Sequence, residues 1–168
     1  MEIRVRNNIS DEESKLLFGW GEDIFGSNHL NLTWKPKDLH IFIEVDGSPV
    51  THVGLLQHTV AVNEERVAVC GVGGVVTTLD EQGKGYASRA MRHAASLMRE
   101  ELSVDFGLLF CHDRLMPFYE RLGWRRVSDA VEIEQPSGSI VSPMNVMILP
   151  CAKESWPTGP VKLNSLPW

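Results

Sequence analysis

Two glycines separated by a single lysine, in Gln82-Gly83-Lys84-Gly85-Tyr86-Ala87, stand between an apolar β-branched run and a stretch of helical periodicity. Glycine lets a backbone approach a ligand closely, and the first turn of a helix carries N–H groups with no partner inside the helix. The helix dipole adds about half a positive charge at that end, so phosphate oxygens are the ligand this arrangement favours. The alternative is an ordinary strand-to-helix connection whose glycines serve only the turn. Two phosphate motifs fail on spacing. The P-loop requires GxxxxGK[ST], whereas Lys84 is followed by glycine with no matching glycine upstream. The dinucleotide pattern GxGxxG starts at Gly71-Val72-Gly73, but Val76 stands where its third glycine belongs, and the run lies inside the strand rather than after it.

The other reactive side chains narrow the chemistry. Cys70, Cys111 and Cys151 are too few and too scattered for a disulfide framework, and none forms a CxxC pair, so they read as small buried hydrophobes in a reducing compartment. Cys111 and His112 are adjacent, yet neighbours on a strand point to opposite faces, which argues against a nucleophile–base pair. Sixteen Lys and Arg against 22 Asp and Glu give a net charge of −6. That balance lacks the basic field of a nucleic-acid binder and mildly favours a neutral or cationic ligand.

A chain of 168 residues, 43% hydrophobic and 23% charged, suits one soluble domain, residues 1–168, with a single substantial core. Its first residues hold no apolar stretch of signal-peptide type, and no window approaches a membrane span. The expected location is the cytoplasm, with no membrane partner.

The elements that must position these residues follow from periodicity. Ile3, Val5 and Ile9 suggest a short edge strand, and Ser10 with Glu13 forms a capping box for a helix over Glu12 to Phe25. A loop from Gly26 to Lys37 precedes a strand over His40 to Val45, and Asp46-Gly47 is a hairpin signal leading to a partner strand from Val50 to Val62. The apolar run Val67 to Thr78 is the next strand. After Gly85 the period changes from 2 to 3.6, with Met91, Ala94, Ala95, Met98 and Leu102 on one face. Asp105 to Cys111 reads as a buried strand, Asp113 as the N-cap of a short helix through Leu122, and Gly123 as its stop. Strands are expected over Trp124 to Glu134 and Met144 to Leu149, followed by a polar, proline-containing tail from Pro150 to Trp168. The order β-α-β-β-β-α-β-α-β-β implies an α/β domain with a mixed sheet.

Within that order, Gln82 to Ala87 matches Q/R-x-x-G-x-G/A, and Phe118-Tyr119-Glu120-Arg121-Leu122-Gly123-Trp124 resembles FYxxLGF with tryptophan in the last place, with the strand Asp105 to Cys111 between them. On these motifs the chain resembles the GNAT superfamily of N-acetyltransferases, over roughly residues 40 to 149. The resemblance implies a GNAT fold: a mixed, mostly antiparallel α/β (α+β) sheet of six to seven strands with flanking helices and a splayed central pair. It implies acetyl-CoA as cosubstrate and no metal. Val75, Val76 and Thr77 would then offer main-chain groups to pantetheine and thioester. Gln82, Gly83, Lys84, Gly85, Tyr86 and Ala87 would wrap the pyrophosphate, with Ser88 as a further donor. Tyr119 falls at the position of the tyrosine that protonates the departing thiolate. Many relatives place a base carboxylate on the central strand, but Cys70 to Gly74 holds none. His112 is the best substitute, with His52 and His58 ranked below it.

Phe25 to Trp34, Val72 to Ser88, Met147 to Pro150 and a final tryptophan are similar to aminoglycoside 2′-N-acetyltransferases. That likeness would put Asn28, Gly73 and Trp168, the last through its terminal carboxylate, about the acceptor, and Gly74 and His112, the latter because it follows the strand 105–111, are expected at the same cleft. The acidic residues that would hold ammonium groups are missing, with Asn28 or His29 at the first position and Gly73 at the central one. The expected partner is a small-molecule amine less cationic than an aminoglycoside, an aminoglycoside 2′-N-acetyltransferase is kept as an alternative, and a homodimer stays open. An acyl-CoA-binding sensor without catalysis is the competing reading.

Overall fold

A computed structural model describes all 168 residues. The chain builds one sheet of ten strands rather than six or seven. The first strand, β1, is Glu2–Arg6, and α1 is Asp11–Phe18, opened by the expected capping box between Ser10 and Glu13. The helix stops well short of Phe25. At Gly19 a side chain would meet the Lys15 carbonyl oxygen at 2.4 Å, and Trp20 to Phe25 continues as turns.

Strand β2, Leu39–Val45, pairs antiparallel with β3, Ser48–Val62, through a hairpin in which Asp46 and Gly47 have φ of 50° and 78°. Two positive φ values in a two-residue loop match strand twist, which is why Asp-Gly reads so clearly in the sequence. Strand β4, Glu65–Thr77, runs antiparallel to β3 and then parallel to β5, Phe106–Cys111. Between them comes α2, Tyr86–Glu100, which buries Ala90, Met91, Ala94, Leu97 and Met98.

Two irregularities at the centre create the opening on which the rest depends. On β3, His52 pairs with Val76 while Gly54 pairs with Gly73, so β4 carries one extra residue there. Such a bulge bends its strand, and Gly74 takes φ +59° within it. The β4–β5 pairing ends at Val72 with Leu109, although β4 continues to Thr77 and β5 to Cys111. The parallel pair therefore parts just where β4 bulges.

After β5, a 3-10 turn over Asp113–Leu115 leads into α3, Met116–Glu120. Asp113 does not cap this segment, since His112 occupies the N-cap position and the Asp113 carboxylate accepts a hydrogen bond from Asn145. Gly123 ends the turn at φ +93°, as expected. The strand expected over Trp124 to Glu134 is two strands, β6 (Arg125–Arg126) and β7 (Val131–Gln135). Further strands are β8 (Gly138–Val141), β9 (Asn145–Pro150) and β10 (Val161–Lys162), the last inside the supposed tail.

One core lies between the sheet and α2 and includes Leu55, Val72, Met98, Leu109 and Trp124. A second lies on the other face and includes Leu56, Phe106, Leu108, Leu163 and Trp168. The C-terminal residues are thus core. Trp168 is 2% exposed, its indole N–H donates to the Leu108 carbonyl at 3.0 Å, and its ring fills the space where a Gly71 side chain would stand. No helix is long and apolar enough to cross a membrane.

Candidate functional site

Two cavities flank the parted strands. The first, about 460 Å³, runs from the end of β4 to the start of α2 and α3. Nine of the ten residues expected to hold the cosubstrate line it: Val75, Val76, Thr77, Gln82, Gly83, Gly85, Tyr86, Ala87 and Ser88. Lys84 is the exception, turning outward to pair with Glu81 at 2.9 Å. Gly83 and Gly85 have φ of +76° and +83°, and a Cβ at either would meet nothing within 4 Å. These glycines make the turn and leave open space beside the backbone. The α2 N-terminus has no side-chain cap, so its first amides remain free for an anion. The side chain of Gln82 holds the loop by donating to the Thr77 carbonyl at 3.0 Å.

The second cavity, about 520 Å³, opens on the other side of the bulge. It takes Lys37 from the loop, His40 from β2, His52 from β3, Gly73 and Gly74 from β4, His112 after β5, and Trp168. Phe18, Phe25, Trp34 and Phe110 give it an aromatic wall, and no Asp or Glu lines it. Val75, Leu115 and Tyr119 border both cavities, so the two meet at the bulge.

Tyr119 is 6% exposed, with its ring edge-on to Phe118 at 5.0 Å and to Trp124 at 6.3 Å. Burial, and then the neighbouring Cys111 thiol, hold its phenol well above the ordinary range, so it stays protonated at neutral pH. His112 lies at the cavity rim, where its Nε2–H donates to the Phe25 carbonyl at 3.1 Å. Asn28 lies outside the cavity. It is exposed, its side-chain amide donates to the Glu22 carbonyl, and neighbouring Ser27 lines the cavity instead.

Gly73, where the resemblance places a carboxylate, is closely covered. A Cβ there would lie 2.6 Å from Lys37 Cε and 2.8 Å from the main-chain carbon of Trp168. Burial alone pushes the Lys37 ammonium below its ordinary pKa, and it has neither a hydrogen bond nor an ion pair within the chain. The buried thiols of Cys70 and Cys111 are pushed up, to about 12 and about 11, which keeps them from acting as thiolates.

Sequence reasoning ranked His52 low and passed over His40 and Lys37. Alternation places His40 and Phe42 on one face of β2, but only the strand pairing and the bulge bring His52 against both.

The family model described as an acetyltransferase (GNAT) domain matches residues 23–127. No curated protein sequence matches the chain. Among solved structures, a GNAT family acetyltransferase from Brucella melitensis in complex with acetyl-CoA superposes at a TM-score of 0.58, with 15% identity over 95% of this chain and 94% of that one. A GNAT family N-acetyltransferase from Escherichia coli in complex with CoA gives a TM-score of 0.62 at 15% identity, covering 96% and 89%. An acyl-CoA N-acyltransferase from Pseudomonas aeruginosa gives 0.57 at 16% identity, covering 88% and 98%. With that domain model spanning more than half of its residues, the chain belongs to the GNAT acetyltransferase family.

Proposed function

We propose that the protein transfers the acetyl group of acetyl-CoA to a primary amine of a small molecule, by direct attack within a ternary complex. The carrying observation is that two cavities of different chemistry meet at Val75, Leu115 and Tyr119. One has free helix amides and two glycines beside open space, which suits a pyrophosphate, and leads along β4 past main-chain groups that suit pantetheine. The other has an apolar wall and imidazoles, which suits an amine-bearing acceptor.

In this reading the amine nitrogen attacks the thioester carbonyl, and a fixed backbone N–H on β4 stabilises the oxygen as it becomes negative. The C–S bond breaks, and the Tyr119 hydroxyl passes its proton to the departing thiolate. Its place between the cavities supports that role. The absence of Asp and Glu from the acceptor cavity does not favour a polycationic aminoglycoside. Each lost charge-assisted hydrogen bond to an ammonium weakens binding by about 1.5–3 kcal/mol. We place the activity in the cytoplasm, with a free small molecule as acceptor.

The test is release of CoA thiol from acetyl-CoA across a panel of primary amines, beside calorimetric CoA binding. Amine-dependent thiol release supports the reading. Tight CoA binding without turnover on any amine overturns it in favour of a sensor module.

A further inference from the structure

Two buried imidazoles and a half-buried carbonyl form a chain beside the bulge. His52 Nδ1 lies 2.7 Å from the Gly74 carbonyl oxygen, and His52 Nε2 lies 2.8 Å from His40 Nδ1. A carbonyl oxygen can only accept, so His52 Nδ1 carries the hydrogen. Neutral His52 then has a bare Nε2, which must accept from His40 Nδ1–H. Neutral His40 is left with a bare Nε2 that has no hydrogen-bond partner in the chain. The side-chain nitrogens sealed from solvent without a partner are those of Arg6, Trp20 and Trp156, and His40 Nε2 is not among them. One carbonyl thus fixes the tautomer of two rings in succession.

The surroundings hold this arrangement. Gly74 has φ +59°, and a Cβ there would press on the His52 ring at 3.3 Å, so glycine at 74 favours the close approach of the carbonyl and the ring. Phe18 stands edge-on to His52 at 5.2 Å, and Phe42 lies 5.4 Å from His52 and stacks on His40 at 6.2 Å. Both imidazoles line the acceptor cavity. Resting on the acetyltransfer reading above, we propose that the His40–His52 pair is the proton acceptor for the incoming amine, with His40 Nε2 taking the proton and His52 as its positioning residue.

The step balances. The amine gives up one proton as its nitrogen bonds to the acetyl carbon, and His40 becomes imidazolium. Its Nδ1–H remains bonded to His52 Nε2, and His52 Nδ1–H remains bonded to the Gly74 carbonyl, so the new charge faces a line of oriented dipoles. The resting pair is neutral. Burial chiefly, then Lys37 and Arg6, lower the His40 pKa against Asp38 and Glu13. Burial chiefly takes His52 down to about 4, where the Gly74 carbonyl and Glu13 act against the lowering, and His40 and Lys37 add to it. His112 serves this purpose less well, because its Nε2 is committed to the Phe25 carbonyl and it stands at the rim.

The experiment has two parts. Imidazole 15N spectra of the wild-type protein, assigned by loss of signal in His40→Asn and His52→Asn, report which ring nitrogen carries hydrogen. Both histidines are expected as the Nδ1–H tautomer near neutral pH, opposite to the Nε2–H preference of a histidine side chain free in water. Either ring in the Nε2–H form overturns the proposal without any assay of activity. The second part is the pH profile of kcat/KM for acetyl-CoA with tyramine, lysine and spermidine, beside CoA affinity. His40→Asn is expected to lower kcat/KM about 100-fold near neutral pH, to move the acid limb up toward the ionisation of the amine itself, and to leave CoA affinity within about threefold. His52→Asn is expected to lower it about tenfold and to shift the acid limb as well. Wild-type turnover with an unmoved acid limb in His40→Asn overturns the assignment alone. CoA binding without wild-type turnover on any of the three amines overturns the acetyltransfer reading and this assignment together.

Discussion

The side chain of Lys37 occupies the space that a side chain on Gly73 would need, with its Cε 2.6 Å and its Nζ 3.0 Å from an ideal Cβ. The main-chain carbon of Trp168 closes the other side at 2.8 Å. Glycine at 73 is therefore a packing requirement. Gly73→Ala is expected to cost about 1–3 kcal/mol as overpacking. Lys37 is the flexible neighbour and Trp168 the fixed one, so Lys37→Ala should relieve part of that cost. A double-mutant cycle by urea unfolding is expected to give a coupling of about 1 kcal/mol. Additive costs would mean that the lysine yields freely and that Trp168 alone confines the site.

The glycine loop makes a different prediction, because its glycines face open space. Gly85→Glu requires φ near +83° but meets no protein atom within 4 Å. Its cost to folding should therefore be the backbone strain alone, about 1 kcal/mol. A carboxylate beside the free amides of α2 should nevertheless abolish CoA binding by charge and by volume. Calorimetry with CoA and a urea titration separate the two effects. Retained affinity in a folded Gly85→Glu protein would place the cosubstrate elsewhere.

What the sequence made legible was local. The capping box at Ser10 and Glu13, the Asp46-Gly47 hairpin, the glycine loop and the stop at Gly123 each act within a few residues, and each stands where it was expected. The sequence extends the helix after Ser10 too far because Leu16, Leu17, Trp20 and Ile24 keep helical spacing past Gly19, where the helix ends. The acceptor side was illegible for a physical reason. Lys37 against Gly73, His52 against the Gly74 carbonyl and Trp168 beneath Gly71 are contacts between distant segments, set by strand register and by one extra residue in β4. The FYxxLGF element placed Tyr119 beside the cosubstrate cleft, but no local pattern could show that its ring would border the second cavity too. Asn28 stands outside the second cavity because Asp23 organises its turn by accepting from the Ser27 and Asn28 amides.

Stability should fall on both sides of a plateau between about pH 6.5 and 9. His52 has a folded pKa of about 4 against an ordinary 6.5, so the unfolded chain binds more protons in that interval. Its contribution is complete above pH 6.5 and is lost as pH falls through 4. Cys70 and Cys111 run the other way, at about 12 and about 11 against an ordinary 9.0, so their contributions are complete below pH 9 and are lost as pH rises through 11 to 12. Urea midpoints from pH 5 to 10.5 should trace this shape. His52→Asn should flatten the acid shoulder and Cys70→Ala the alkaline one. Shoulders that persist unchanged in both variants would assign the pH dependence to other groups.

Tyr119 separates catalysis from packing more cleanly than any other residue of the site. Its ring is buried against Phe118 and Trp124, while its hydroxyl makes no hydrogen bond with the chain. Tyr119→Phe keeps every aromatic contact and leaves no polar partner stranded, so its stability should stay within about 1 kcal/mol of wild type. If the phenol protonates the leaving thiolate, kcat should fall about 100-fold or more, while CoA affinity stays within about threefold. The elevated phenol pKa adds a second signature, since no activity should be lost to phenolate formation up to at least pH 10. Steady-state kinetics across pH 7 to 10 measure both quantities. An unchanged kcat in Tyr119→Phe would remove the tyrosine from the chemistry and leave it as the aromatic partition between the two cavities.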